Sequence, residues 1–115
     1  MNQLTILFPC YNEEKFISEA LVSLKNQSFD KFDVIISDNA STDSSIEKIK
    51  SCVDGDLRFK LIQQPHNIGS INNWRFLISS LRSEYFMFMG AHDYLSENYV
   101  GGCLSEIQRN KSVSI

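Results

Sequence analysis

What most constrains this chain is an alternation that recurs about four times in 115 residues: a short apolar run, a cluster of turn-forming polar residues, then apolar residues at helical spacing. Leu4-Thr5-Ile6-Leu7-Phe8 is a strand-forming run closed by Pro9, which removes a backbone donor. Ile17, Ala20, Leu21 and Leu24 follow at helical spacing, with Glu13 and Glu14 ahead of them, so a helix is expected over roughly Glu13 to Asn26. Asp33 to Ser37 reads as a second strand, ending on Asp38-Asn39-Ala40-Ser41. A second helix is expected from near Thr42, with Ser44 and Glu47 spaced as a capping box and Ile46, Ile49 and Val53 on one face. Leu57, Phe59 and Leu61 alternate as a third strand, and Pro65, Asn67 and Gly69 break it.

A third helix is marked by Ile71, Trp74, Leu77, Ile78 and Leu81. Tyr85 to Met89 is apolar throughout, which predicts a central strand covered on both faces. Tyr99, Val100, Cys103, Leu104 and Ile107 place a fourth helix over Asn98 to Asn110, and Ser112 to Ile115 reads as the start of another strand. Such alternation predicts a mostly parallel sheet flanked by helices and joined by right-handed crossovers, a Rossmann-like α/β sandwich in one domain spanning residues 1–115.

Composition narrows the function. The charged fraction of 22% and apolar fraction of 43% are those of an ordinary globular protein. A net charge of -3 without a block of Lys or Arg gives no footprint for nucleic acid or an anionic membrane, so any phosphate binding must be local. Cys10, Cys52 and Cys103 are odd in number and set among apolar residues, which reads as reduced thiols and favours the cytosol. Neither a leader nor a membrane-spanning run is seen.

Three loops at strand ends carry most of the polar candidates: Pro9 to Glu14, Asp38 to Asp43, and Gly90 to Asp93. In a parallel α/β sheet the carboxyl ends of the strands line one edge, so these loops converge on one pocket. Neither GxGxxG nor GxxxxGK[ST] occurs, which removes the dinucleotide fingerprint and the phosphate loop. A phospho-acceptor receiver domain would need an acceptor Asp after the third strand, where Gln63-Gln64-Pro65 stands. A nucleotidyltransferase would need a Gly-rich basic loop after the first.

The segments Ile6 to Glu14, Gln27-Ser28-Phe29 and Ile35 to Asp43, followed by Asn67-Ile68-Gly69, Asn73-Trp74 and the loop at Asp93, resemble the inverting GT-A fold family 2 glycosyltransferases. The resemblance implies a GT-A sandwich of which this chain is the donor-binding half. It implies transfer of a sugar, with inversion, from a UDP- or dTDP-type nucleotide sugar to a glycan or lipid-linked acceptor. Pro9, Tyr11 and Glu13 match the segment that lines the nucleotide pocket, and a Tyr ring offers a stacking face for any base. The other reading of Tyr11 is a cover over a helix N-terminus. Asp38 matches the acid that reads a base or ribose edge, and Asn39 stands where many members carry a second Asp. Ser41, Thr42 and Asp43 suit the turn and helix cap. Asn73 matches a segment close to the donor; Trp74 is expected in the core, and Arg75 and His66 at the surface.

Family members usually carry Asp-x-Asp after the fourth strand, where a carboxylate ligates a Mn²⁺ or Mg²⁺ ion on the donor diphosphate. Here Gly90, Ala91, His92 and Asp93 fill those positions, which makes His92 and Asp93 the expected metal ligands and favours Mn²⁺, since imidazole suits Mg²⁺ poorly. His92 also fits a direct hydrogen bond to the diphosphate, or a degenerate site. The family's general base is expected beyond Ile115. A cytoplasmic protein is expected, with the inner face of the membrane as a further location open to a full-length form, and, if the chain is a truncated piece, self-association through apolar surface that the acceptor half would cover. The rival reading is a non-catalytic nucleotide-binding or assembly module with a degenerate metal motif.

Overall fold

The computed structural model describes residues 2–109. Its centre is strand β1 (Leu4–Cys10), buried at every position except Pro9, as a parallel strand covered on both faces must be. Strand β2 (Phe32–Asp38) pairs with it on one side and β4 (Tyr85–Phe88) on the other, while β3 (Phe59–Gln63) pairs with β2. The order is β3-β2-β1-β4, all parallel. Helices α1 (Ile17–Lys25), α2 (Ser45–Val53), α3 (Ser70–Ser79) and α4 (Tyr99–Arg109) alternate with the strands.

The pleat of β1 divides the core. Leu4, Ile6, Phe8 and Cys10 join Ile17, Leu21, Leu24, Ile49, Val100 and Leu104 in one cluster, so α1, α2 and α4 share that face. Leu7 is equally buried but lies outside the cluster, on the face that α3 covers with Leu77. Phe8 is fully buried, and truncating it to Ala removes about 3–5 kcal/mol.

Several expectations need correction. Pro9 does not end the first strand, which runs on to Cys10. Leu7 O accepts from Met89 N–H on the β4 side, whereas Cys10 O accepts from Asn39 N–H on the β2 side. By the same alternation Pro9 faces the β4 side beyond the last β4 pair, Leu7 with Phe88, where no ladder donor is needed. Helix α1 starts at Ile17 rather than Glu13: Phe16 N–H and Ile17 N–H both donate to Glu13 O in a turn ahead of it, and the N–H groups of Asn12, Glu13 and Glu14 donate to Ser41 Oγ, Ser45 Oγ and Asp43 Oδ2. Helix α2 starts at Ser45 with Ser44 at its N-cap, but the capping box does not form; Asp43 Oδ1 accepts from Ser45 N–H at 2.9 Å instead.

Leu57 is 99% exposed and outside β3, since Asp56 turns the chain by accepting from Arg58 N–H and Phe59 N–H. The α3 stripe is also rotated: Asn73 and Leu77 are its buried residues, and Ile71 and Ile78 face solvent. Strand β4 is an edge among the described strands, with all four residues only partly covered, although its apolar run reads as central. A continuous apolar run signals burial without saying by what. The expected strand over Ser112 to Ile115 lies outside the described residues.

Candidate functional site

Loops 11–16, 39–44, 64–69 and 89–98 leave the carboxyl ends of the four strands and meet at one edge. The first two are stitched reciprocally. Asn12 N–H donates to Ser41 Oγ at 2.9 Å, Thr42 N–H to Asn12 Oδ1 at 2.8 Å, and Ser44 N–H to Glu14 Oε2 at 3.1 Å. Asn12 and Ala40 hold φ values of 50° and 62°, in the left-handed region that L-residues seldom adopt. Asn enters this region more readily than most L-residues, and the Asn12 side chain is fixed there by its bonds to Thr42 in the facing loop.

Between these loops and the start of α3 lies a cavity of about 320 Å³ lined by Pro9, Cys10, Tyr11, Glu13, Asn39, Ser70, Asn73 and Trp74. Five residues singled out in the sequence, Pro9, Tyr11, Glu13, Asn39 and Asn73, are brought together here. Tyr11 is 43% exposed, leaving ring surface for a ligand. The two amides form the wall and are satisfied. Asn39 donates from Nδ2 to Asn67 Oδ1 at 3.1 Å and accepts at Oδ1 from Ile68 N–H at 2.8 Å. Asn73 accepts at Oδ1 from Ser37 Oγ at 2.6 Å and donates from Nδ2 to Ser37 O at 3.0 Å.

Asp38 is not among the lining residues. It is buried, and its carboxylate accepts from Ser41 N–H at 2.8 Å and Ser41 Oγ at 2.6 Å. Beside it, burial pushes the Cys10 thiol far up, and the Asp38 charge pushes it further, so Cys10 is a neutral wall group. Cys10, Cys52 and Cys103 are free thiols; all three read as core residues in the sequence, but only Cys10 is buried, and Cys52 and Cys103 are partly exposed. Arg75 and His66 are exposed, as expected.

Trp74, Cys10 and Ser70 are lining residues that the sequence reading did not assign to the site. Trp74 is half-buried and stands edge-on against Phe88, with ring centroids 3.9 Å apart, so it closes the cavity toward β4 rather than filling the core. The available signal was the Asn67-Ile68-Gly69 turn, which starts α3 at the cavity. Asn67 Oδ1 accepts from Gly69 N–H, and Gly69 takes a φ of 86° that a side chain would resist.

His92 and Asp93 sit on the loop after β4 but do not converge. Asp93 Oδ2 accepts from Gly90 N–H at 2.8 Å within its own turn. His92 Nε2 reaches Glu13 Oε2 at 2.7 Å, and its ring meets the Phe16 ring edge-on. No group of three His, Cys, Asp or Glu able to hold an ion occurs among the described residues. The side chains as arranged therefore do not fit a metal held by the protein alone. The cavity also has an acid, Glu13, and no Lys or Arg among its described lining residues, so a diphosphate placed there would need a cation from outside the wall.

A parallel sheet with a polar cavity and acid-bearing loops at its carboxyl edge is the arrangement in which open α/β proteins bind ligands. The sequence profile of Glycosyl transferase family 2 matches residues 5–115, and the chain belongs to that family. An uncharacterized glycosyltransferase of Haemophilus influenzae is 29% identical over 113 residues, covering 98% of this chain and 45% of the relative. The structure of Staphylococcus aureus TarS 1-349 in complex with UDP-GlcNAc is 25% identical with a TM-score of 0.82, covering 93% of this chain and 31% of that one. A mannosyltransferase of Pyrobaculum calidifontis, PcManGT, solved with GDP-Man and Mn²⁺, shares the fold with a TM-score of 0.83 at 19% identity, covering 92% of this chain and 32% of that one. The chain thus spans less than half the length of these relatives. No helix among the described residues is long and apolar enough to cross a membrane.

Proposed function

We propose that this chain is the donor-binding half of a glycosyltransferase domain that moves a sugar, with inversion, from a UDP- or dTDP-type nucleotide sugar to a glycan or lipid-linked acceptor. The observation that carries the reading is the gathering of Pro9, Tyr11, Glu13, Asn39 and Asn73 around one cavity at the carboxyl edge of the sheet. The TarS complex with UDP-GlcNAc supports a uridine nucleotide as the first ligand to try.

In this reading the Tyr11 ring stacks on the base, and Pro9 and Trp74 bound the slot. Asn39 and Asn73 hold the wall, each with one donor hydrogen and one acceptor lone pair of its amide already engaged. Asp38 orders the loop through Ser41 and, buried behind the cavity lining, would meet the nucleoside only if the loop moved. Asp93, and His92 once released from Glu13, would hold a Mn²⁺ or Mg²⁺ ion brought with the donor diphosphate. Bound there, the ion would neutralise the leaving diphosphate. The general base that takes the acceptor proton for attack on the anomeric carbon would lie beyond Ile115. Nucleotide sugars of this type place the protein in the cytoplasm, beside the inner membrane face where lipid-linked acceptors reside.

The engagement of His92 with Glu13 and of Asp93 with Gly90 favours a second reading, a nucleotide-binding module without a working metal site. Calorimetric titration of UDP in Mn²⁺ and again in EDTA separates the two. Saturable heat that weakens in EDTA supports the transferase reading; equal heat in both supports the module, and no heat in either removes both.

A further inference from the structure

The far end of the β4–α4 loop is tied to the turn between α1 and β2 by side chains that the donor site does not use. Gln27 is 5% exposed, and both ends of its amide are engaged. Its Oε1 accepts from Val100 N–H at 2.9 Å, one of the first-turn donors of α4 that the helix itself cannot satisfy. Its Nε2 donates to Ser96 O at 2.6 Å and to Ser23 O at 3.1 Å. Next to it, Ser28 N–H donates to Glu97 O at 2.7 Å, and Ser28 Oγ donates to Glu97 O at 3.0 Å and Asn98 Oδ1 at 2.7 Å. Gly101 packs so closely on Phe29 that a Cβ there would come within 3.0 Å of the Phe29 Cβ.

The same loop is held at its near end by Glu13 and Phe16, through His92. The two ends of the α1 segment therefore grip the two ends of one loop. Only Tyr94 and Leu95 separate Asp93 from Ser96, so at about 3.5 Å of reach per residue the two lie within about 10 Å of each other.

We propose that Gln27 is a positioning residue, which through Ser96 and Val100 sets where the His92–Asp93 segment stands against the donor cavity. The inference rests on the donor-site reading for its functional consequence, and on the hydrogen bonds alone for its structural one. Glutamine is required by the chemistry: Glu at this position would turn an acceptor toward the carbonyls of Ser23 and Ser96, and Met would leave Val100 N–H and Ser96 O without partners.

The test compares Gln27→Glu and Gln27→Met with the parent protein by amide hydrogen exchange and by UDP titration in Mn²⁺ and in EDTA. Exchange over residues 90–100 is expected to rise about tenfold, the equivalent of one lost hydrogen bond, while β1 and β2 keep their protection. The Mn²⁺-dependent gain in UDP affinity should fall by a similar factor, with the affinity in EDTA unchanged. Unchanged exchange over 90–100 overturns the proposal, as does a loss of UDP affinity that is equal in Mn²⁺ and EDTA. Absence of UDP binding by the parent protein would sink the donor reading instead, and the exchange result then decides the positioning role by itself. If both substitutions unfold the chain, Ser28→Ala, which removes only the Oγ bonds, must still raise exchange over 96–100 by a smaller factor; no local rise overturns the proposal.

Discussion

His92 Nε2 lies 2.7 Å from Glu13 Oε2, joining the loop after β4 to the loop after β1 beside the cavity that Glu13 lines. Both side chains keep contact with water, at 64% and 21% exposure, so the pair contributes at most about 1 kcal/mol to stability. Its consequence is geometric, since neither residue moves without releasing the other. His92→Ala and Glu13→Ala should each weaken UDP binding in Mn²⁺, and the double variant should be no weaker than the worse single one. Calorimetry on the four proteins measures this; effects that add within about 0.5 kcal/mol would show that the two act independently.

A larger cost is expected at Asn73, which is 2% exposed and bonded twice to Ser37. Asn73→Asp replaces the Nδ2 donor with a second acceptor and sets it against Ser37 O in a buried place. The loss should reach about 3 kcal/mol in urea unfolding, because a buried charged group left without its partner costs more than a neutral one. A loss below about 1 kcal/mol would mean that water reaches this interface.

Relief of strain gives the opposite sign at Ala40. Its φ of 62° costs a residue with a Cβ about 1–2 kcal/mol. Ala40→Gly removes that cost and adds about 0.5–1 kcal/mol of backbone entropy to the unfolded chain, leaving a net gain of up to about 1.5 kcal/mol. Thermal unfolding should show a higher midpoint, and UDP affinity should hold, since Asn39 and Ser41 keep their bonds. A lower midpoint would show that the methyl group packs usefully.

Most of the fold was legible in the sequence because strand runs and helix spacing are local patterns. The alternation placed all eight elements, and the convergence of the strand-end loops followed from a parallel sheet. What failed were features decided by partners distant in the chain. The segment ahead of α1 is bonded across to Ser41, Asp43 and Ser45 through the N–H groups of residues 12–14, partners about 30 positions away that local spacing does not show. Helix α3 turns its amide inward because Ser37 offers both a hydroxyl and a carbonyl, which makes Asn73 the buried residue while Ile71 remains outside. The site was legible as a set of loops, whereas the pairing of His92 with Glu13 and of Asp38 with Ser41 depended on side-chain directions that spacing does not specify.

The acid limb of stability can be traced to the turn before β3. The Arg58 guanidinium donates to both Asp56 oxygens, at 3.0 and 2.9 Å, and that hydrogen bonding is the main reason the carboxyl titrates below its usual range. Arg58 is kept in place by Asp30 O and by the face of Phe32, 4.9 Å from its centroid. A carboxyl whose pKa is lower folded than unfolded holds fewer protons in the native state. It therefore stabilises the fold above its unfolded pKa of about 3.9, and the contribution disappears as pH falls through the native value. Asp56→Asn should be less stable than the parent at pH 7 by under about 1 kcal/mol, because the pair is partly solvated. Urea midpoints followed from pH 7 to pH 2.5 should draw together at the acid end. A gap that persists there would assign the effect to the turn itself, in which Asp56 also accepts from Arg58 N–H, rather than to the charge.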